Sequence, residues 1–93
     1  MIDTSDAELP RSNRAEVRNP ILALPAAKKI SALSPEAQEA ICELLEEMRV
    51  DAFARADKAW RKSKPPLASY WRAVSTYCGH IRKAIRRIAR DAA

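Results

Sequence analysis

The sequence predicts an all-α protein in which two long helices form an antiparallel hairpin and a short helix precedes them, giving a three-helix unit. The composition favours helices, because the chain has a single glycine and is rich in alanine, arginine, glutamate and leucine. Ser34 and Pro35 form a strong helix start. A regular apolar pattern from Leu67 to Ala92 indicates a second long helix, and two consecutive prolines separate it from the first.

Residues 1–19 differ from the rest of the chain. They alternate acidic, basic and small polar residues, and their sizeable apolar side chains are limited to Ile2, Leu9 and Val17. So little apolar surface does not offset the entropy of ordering the segment. We therefore expect a disordered N-terminal arm over residues 1–19 and one helical domain over residues 20–93.

The first helical elements are expected to begin at prolines. Pro25 suits the first turn of a short helix, after an extended lead-in from residue 20. Ser34 accepts hydrogen bonds from the free amide groups of a long middle helix, and Pro35 lacks an N–H where none is needed. Lys64 stands before two prolines that push it out of the helical region, so the middle helix should end there.

The last helix carries apolar residues at alternating steps of four and three, the spacing of one helix face. This face consists of Leu67, Trp71, Val74, Cys78, Ile81, Ile85, Ile88 and Ala92. A short break between two amphipathic helices makes them antiparallel neighbours. With the fold-back centred on Pro65, the numbers of facing residues sum to about 130. Trp60 then faces Trp71, Ala56 faces Val74, Ala52 faces Cys78 and Met48 faces Ile81.

The two cysteines lie on apolar faces at different heights of this predicted hairpin. Cys42 and Cys78 are about 15 Å apart along it, at 1.5 Å per residue. A disulfide does not span that distance, so both are predicted to be buried and to act as small apolar residues.

A second apolar stripe on the middle helix includes Phe53. With Tyr70 and Tyr77 of the last helix it is expected to form a groove, filled by Ile21, Leu24, Ile30 and Leu33. Alternatively, the same stripes pair two hairpins into a homodimeric four-helix bundle.

The sequence contains no pattern that carries chemistry. The two cysteines and His80 lack metal-ligand spacing, and there is no glycine-rich loop or paired-carboxylate motif. We therefore predict a protein that is not an enzyme and uses no metal, cofactor or small-molecule substrate. No apolar run approaches the roughly 20 residues of a membrane span, and the N-terminus is unlike a signal peptide. A cytoplasmic protein without a membrane partner is expected.

The charge balance points to an acidic or polyanionic partner, since 17 Lys and Arg stand against 12 Asp and Glu. The candidate contacts on the outward face of the last helix are Arg72, Gly79, Lys83, Arg86, Arg87 and Arg90. We expect Glu47 to reach Arg82 at the margin, whereas Arg72, Lys83, Arg86 and Arg90 stay free of carboxylates. Gly79 interrupts this face, either for close approach of a partner or as a tolerated exposed glycine.

A second basic patch is expected at the hairpin tip. It consists of Lys58, Trp60, Arg61, Lys62, Lys64, Tyr70 and Trp71. Rings among cations are typical of single-stranded nucleic-acid binding, where bases stack on the rings and phosphates contact the cations. The alternatives are that Trp60 and Trp71 pack on each other to close the hairpin, or that the patch binds a protein.

The segments LPAAKKI, LSPEAQ, AWRKSKPPLASYW and YCGHIRKAIRR resemble small uncharacterised helical proteins of bacterial prophages. The resemblance covers most of residues 19–90, and it implies a context in which small proteins bind host or defence nucleoproteins, DNA or RNA. The leading hypothesis is a phage-type regulatory protein that docks its basic helix face on nucleic acid. The alternatives are a protein-interaction module that inhibits or adapts a host or defence nucleoprotein complex, in the manner of an anti-CRISPR protein, and a homodimeric structural bundle.

Overall fold

The computed structural model describes residues 14–92, most of which are helical. Helix α1 spans Ala15–Arg18, two 3₁₀ helices span Pro20–Ala23 and Pro25–Ala32, α2 spans Pro35–Arg61 and α3 spans Pro65–Ala92. The two long helices are antiparallel and pack against each other, and both 3₁₀ helices contact α3. The predicted all-α hairpin with a short preceding helix is confirmed.

The start of α2 follows local rules. Ser34 is its N-cap, and the Ser34 Oγ accepts a hydrogen bond from the Ala37 N–H at 3.1 Å. The preceding short helix begins at Pro25, as predicted, and has 3₁₀ geometry. The Gln38 side chain donates to the Ile30 carbonyl at 2.9 Å, which ties the end of the short helix to α2.

The turn between the long helices begins earlier than predicted, because α2 ends at Arg61 rather than at Lys64. Ser63 adopts a left-handed conformation with a φ of 58°. The Lys64 N–H donates to the Ala59 carbonyl at 2.9 Å, and the Ser63 N–H donates to the Trp60 carbonyl at 3.0 Å. These two bonds form a Schellman motif, which closes a helix at a left-handed residue.

The predicted pairing of the two helices is wrong by about one helical turn. The prolines begin α3 instead of ending α2, since the first turn of a helix tolerates proline, and the fold-back is centred near Ser63. The Ser75 hydroxyl donates to the Arg49 carbonyl at 2.9 Å, and the Arg55 guanidinium lies 5.3 Å from the Trp71 ring centroid. Facing residue numbers therefore sum to about 126.

Small side chains form the interface between α2 and α3. We call this interface the small-residue seam, and its buried members are Cys42, Ala52, Ala56, Ala59, Ala68, Ser75, Cys78 and Gly79. Small residues at a helix contact allow a short distance between the helix axes. The burial of both cysteines is confirmed, and both are free thiols. Among residues 14–92, Ile85 is the one large apolar side chain classed as buried.

The seam does not follow the apolar face predicted for α3. Of that face, Cys78 and Ile85 are buried, whereas Leu67 is 44% exposed. The contact with α2 is rotated toward Ser75 and Gly79, which are buried although neither is a large apolar residue. Larger side chains lie at the edge of the contact because the closely packed helices leave no room for them between the axes.

The N-terminal segment packs on the second half of α3. The Asn19 side chain donates to the His80 carbonyl at 2.8 Å, and Ala84 is 0% exposed. Leu22 and Ala27 border a shallow cavity with Ile88 of α3. Of the arm predicted over residues 1–19, Ala15–Arg18 form helix α1 and Asn19 contacts α3. Its remaining part, residues 1–13, lies outside the described residues.

The predicted apolar groove is not filled by this segment. Phe53, Tyr70 and Tyr77 are 60%, 59% and 58% exposed. Leu24 and Leu33, expected to cover them, are themselves 53% and 39% exposed. The segment contacts α3 beyond these rings, so their apolar surface faces solvent.

The seam leads to a prediction about stability. Ala56→Leu should lower the free energy of unfolding by about 1–3 kcal/mol, because the added carbons enter a contact that has no space for them. Ala54, exposed on the same helix, offers a matched control: Ala54→Leu should change stability by less than about 0.5 kcal/mol. Urea unfolding followed by circular dichroism measures both variants. Equal effects of the two substitutions would show that the seam tolerates large side chains.

Candidate nucleic-acid interface

Three cations on the outer side of α3 are exposed. Arg72, Lys83 and Arg90 take part in none of the ion pairs formed within residues 14–92. They are separated by eleven and seven residues, which places them on one side of the helix. We call these three residues the outer cations. They extend over about 27 Å at 1.5 Å per residue, a length that reaches several phosphates of a nucleic-acid strand.

Two other predicted contacts are occupied by carboxylates of the same chain. Arg86 donates to both carboxylate oxygens of Glu39, at 2.9 Å and 3.3 Å, and these hydrogen bonds raise the pKa of Arg86. The prediction that Arg86 stays free is wrong, because the shifted pairing brings it beside Glu39. Arg87 pairs with Asp91 one turn further along α3, at 2.9 Å.

Gly79 lies in the seam and not on the outward face, so its predicted exposure is wrong. A Cβ atom at this position would lie 3.4 Å from the Arg49 Cδ, which is ordinary van der Waals contact. Arg82 is also displaced from its predicted partner. Its Nε lies 3.3 Å from the Glu46 carboxylate, so Glu46 and not Glu47 is the acid that reaches it.

Glu46 binds two arginines at once. Arg49 donates to its two oxygens at 2.9 Å and 2.7 Å, and Arg82 approaches the same carboxylate. The hydrogen bonds from Arg49, with the positive charges of both arginines, lower the pKa of Glu46 from its ordinary value of 4.5. The acidic half of α2 therefore compensates the basic half of α3, as predicted, through different pairs.

The hairpin tip combines free cations with an exposed indole. Trp60 is 64% exposed, and Lys58, Lys62 and Lys64 are exposed and absent from the ion pairs of the described residues. Arg61, by contrast, pairs with Asp57 at 3.0 Å. The indole of Trp60 is thus open to solvent at the tip, whereas the three lysines line a separate cleft with Arg55, Leu67 and Trp71.

The second indole of the tip is held within the protein. Trp71 contacts Tyr70 edge to face, with ring centroids 5.1 Å apart, and the Arg55 guanidinium lies over its ring. Its register position is opposite Arg55 rather than Trp60. The alternative in which Trp60 and Trp71 close the hairpin by packing on each other is therefore wrong.

Sequence reasoning missed Arg49 and Thr76, which line a groove beside Gly79. The position of Arg49 could have been predicted from its spacing. It lies seven residues from both Cys42 and Ala56, which places it on the same face of α2 as these two residues. His80 lines the same groove, and its ring contacts Tyr77 edge to face at 6.0 Å.

Comparison of the chain with protein-family models, with curated proteins and with solved structures finds no match. Within residues 14–92, every helix is too short or too polar to cross a lipid bilayer.

The lowered pKa of Glu46 predicts how its contribution to stability depends on pH. An acid whose pKa is lower in the folded state stabilises the fold above its ordinary pKa, and this contribution is lost as the pH falls through the folded value. Glu46→Gln should therefore be less stable than the wild type at pH 7, and the difference should shrink as the pH falls below about 4.

Thermal unfolding of both proteins over a series of pH values measures this difference. Glu47→Gln is the matched control, because Glu47 is exposed on the same helix and takes part in none of the ion pairs described. A difference for Glu46→Gln that stays constant from pH 7 to pH 3 would contradict the assigned ion pair.

Proposed function

We propose that this protein binds single-stranded nucleic acid, DNA or RNA, with its hairpin tip and the outer cations of α3. The observation that carries the proposal is the exposure of Trp60, 64%, at a tip whose three lysines take part in none of the ion pairs of the described residues. An exposed indole offers a flat apolar surface on which a base stacks, and the ammonium groups of the tip suit the phosphates of a bound strand.

The distribution of charge supports this surface. The carboxylates Glu39 and Glu46 compensate Arg86 and Arg82, and the exposed cations outside the ion pairs of the described residues include the tip lysines and the outer cations. Each phosphate that a lysine or arginine contacts releases a condensed counterion, and this release drives binding at low salt. A strand that runs from Trp60 along α3 would contact both groups of cations.

We further propose that binding, and not catalysis, is the activity of the protein, as a regulator of the kind implied by its resemblance to prophage proteins. The described residues present no nucleophile beside a base and no group of three or more potential metal ligands. A regulator needs only an affinity for its target.

The proposal predicts a steep salt dependence of binding. Fluorescence anisotropy with labelled oligothymidylate and oligouridylate should show a logarithm of affinity that falls linearly with the logarithm of salt concentration. Lys62→Gln and Arg72→Gln should each reduce this slope by about one. Trp60→Leu should weaken binding by about 1–3 kcal/mol with little change in slope, because it removes stacking and no charge.

Tyr77→Leu is the matched control for the indole. Tyr77 is 58% exposed, nearly as much as Trp60, but none of the tip lysines is near it in sequence. Its substitution should leave the affinity unchanged. A salt slope near zero, or equal losses for Trp60→Leu and Tyr77→Leu, would contradict the proposed surface.

A second candidate function is self-association, favoured by an apolar strip on one side of the hairpin. The strip consists of Leu44, Met48, Leu67, Tyr70 and Tyr77, which are 44–59% exposed. Arg55 lies seven residues after Met48 and thus on the same side of α2, and its guanidinium covers Trp71 beside Tyr70. The members from α2 and α3 therefore share one side.

We propose a second copy of the chain as the occupant of this strip. The strip joins exposed apolar residues of both long helices on one side of the hairpin. Stable domains bury the apolar faces of their helices against another element. A second hairpin placed face to face would cover the strip and complete a four-helix bundle with two-fold symmetry.

Sedimentation equilibrium tests this candidate. The wild type should have the mass of a dimer, and Met48→Glu should convert it to the 10.4 kDa monomer because it buries a charge in the apolar strip. Val50→Glu is the matched control, since Val50 is 54% exposed and lies about 200° further round α2. A wild type that remains monomeric at all concentrations would exclude the second candidate.

A further inference from the structure

A groove of about 360 Å³ lies beside the seam, at the point where Gly79 has no side chain. Its lining includes Arg49, Thr76, Gly79, His80, Arg82 and Lys83. Arg49 comes from α2 and the others from α3, so the hairpin brings them together. The missing side chain at Gly79 leaves the floor of the groove low, with the Arg49 Cδ beside it.

The groove has more cations than carboxylates. Glu46 is the acid that contacts Arg49 and Arg82, and Lys83 takes part in none of the ion pairs of the described residues. Three positive charges therefore share one negative charge. The Arg82 Nε, although 3.3 Å from the Glu46 carboxylate, is buried and makes no hydrogen bond. A buried donor without an acceptor is costly, so the guanidinium of Arg82 is incompletely satisfied within the protein.

We propose that this groove binds a phosphate group, and that in the complex this phosphate belongs to the nucleic-acid backbone. Only the second part, that the phosphate belongs to a nucleic-acid strand, rests on the proposed function. Guanidinium groups suit phosphate oxygens in geometry and charge, and the Lys83 ammonium adds a further charge. The Thr76 hydroxyl supplies a neutral donor on the same wall. The groove thus holds the strand at a fixed point along α3, away from the tip.

Gly79→Ala tests the groove without removing a charge. Alanine is a better helix former than glycine, and its Cβ would meet Arg49 at an ordinary contact distance of 3.4 Å, so the variant should fold at least as well as the wild type. The added methyl group raises the floor of the groove. Thermal unfolding of the variant checks that the fold is intact.

The first measurement uses inorganic phosphate as the probe. In the wild type, titration should shift the backbone amide signals of residues 79–83 in nuclear magnetic resonance spectra, with saturation. Gly79→Ala and Lys83→Gln should each weaken this binding several-fold. Arg90→Gln is the matched control, because Arg90 is an exposed cation of the same helix outside the groove, and it should leave the titration unchanged.

The second measurement uses the labelled oligonucleotide. Lys83→Gln and Arg90→Gln should both reduce the salt slope by about one, whereas Gly79→Ala should weaken affinity several-fold at every salt concentration. Oligonucleotide binding that is lost in Trp60→Leu but unchanged in Gly79→Ala would overturn the groove and leave the proposed function intact. Saturable phosphate binding without oligonucleotide binding would support the groove and overturn the proposed function. If phosphate shifts the amides near all lysines by similar amounts, and does so equally in the wild type and in Gly79→Ala, the effect is charge screening. This result would overturn the proposed phosphate site in the groove.

Discussion

The contact of α2 with α3 through alanine, serine, cysteine and glycine determines what the rest of the molecule exposes. Because Ala52, Ala56 and Ser75 occupy the space between the helices, the large apolar side chains remain at its edges or outside it. Trp60 and Phe53 are more than half exposed as a result. A seam of this kind buries little apolar area per residue, which leaves the remaining apolar surface available to partners.

The fold class and the local starts of the helices could be predicted from the sequence because each depends on neighbouring residues alone. Ser34 caps α2 with its own side chain, and Pro25 begins the short helix because its ring suits a first helical turn. Neither depends on residues far away in the sequence. The pairing of the helices could not be derived in this way. It depends on Ser63, a residue type with no strong preference for the left-handed conformation that it adopts, and the two prolines fit the end of one helix as well as the start of the next.

The same one-turn difference explains which parts of the candidate site were predicted. The outer cations are exposed in the observed register, although Lys83 lines the groove beside the seam. Arg86 and Gly79 lie at the margin of the seam or in it, where the shift places one against Glu39 and buries the other beside Arg49. A position in a helix contact or at its edge changes its surroundings when the register shifts by one turn.

The compensation of charge within the hairpin also separates two roles among its arginines. Like charges at steps of four along α3 repel each other, and the carboxylates of Glu39 and Glu46 offset that repulsion where α2 lies alongside. Arg72, Lys83 and Arg90 take part in none of the ion pairs of the described residues, so solvent ions screen their charges. In the proposed complex, a phosphate strand would replace those ions at a gain in entropy. Arg86 is therefore engaged in holding the two helices together, whereas Arg72, Lys83 and Arg90 are exposed cations of the same helix outside the ion pairs of the described residues.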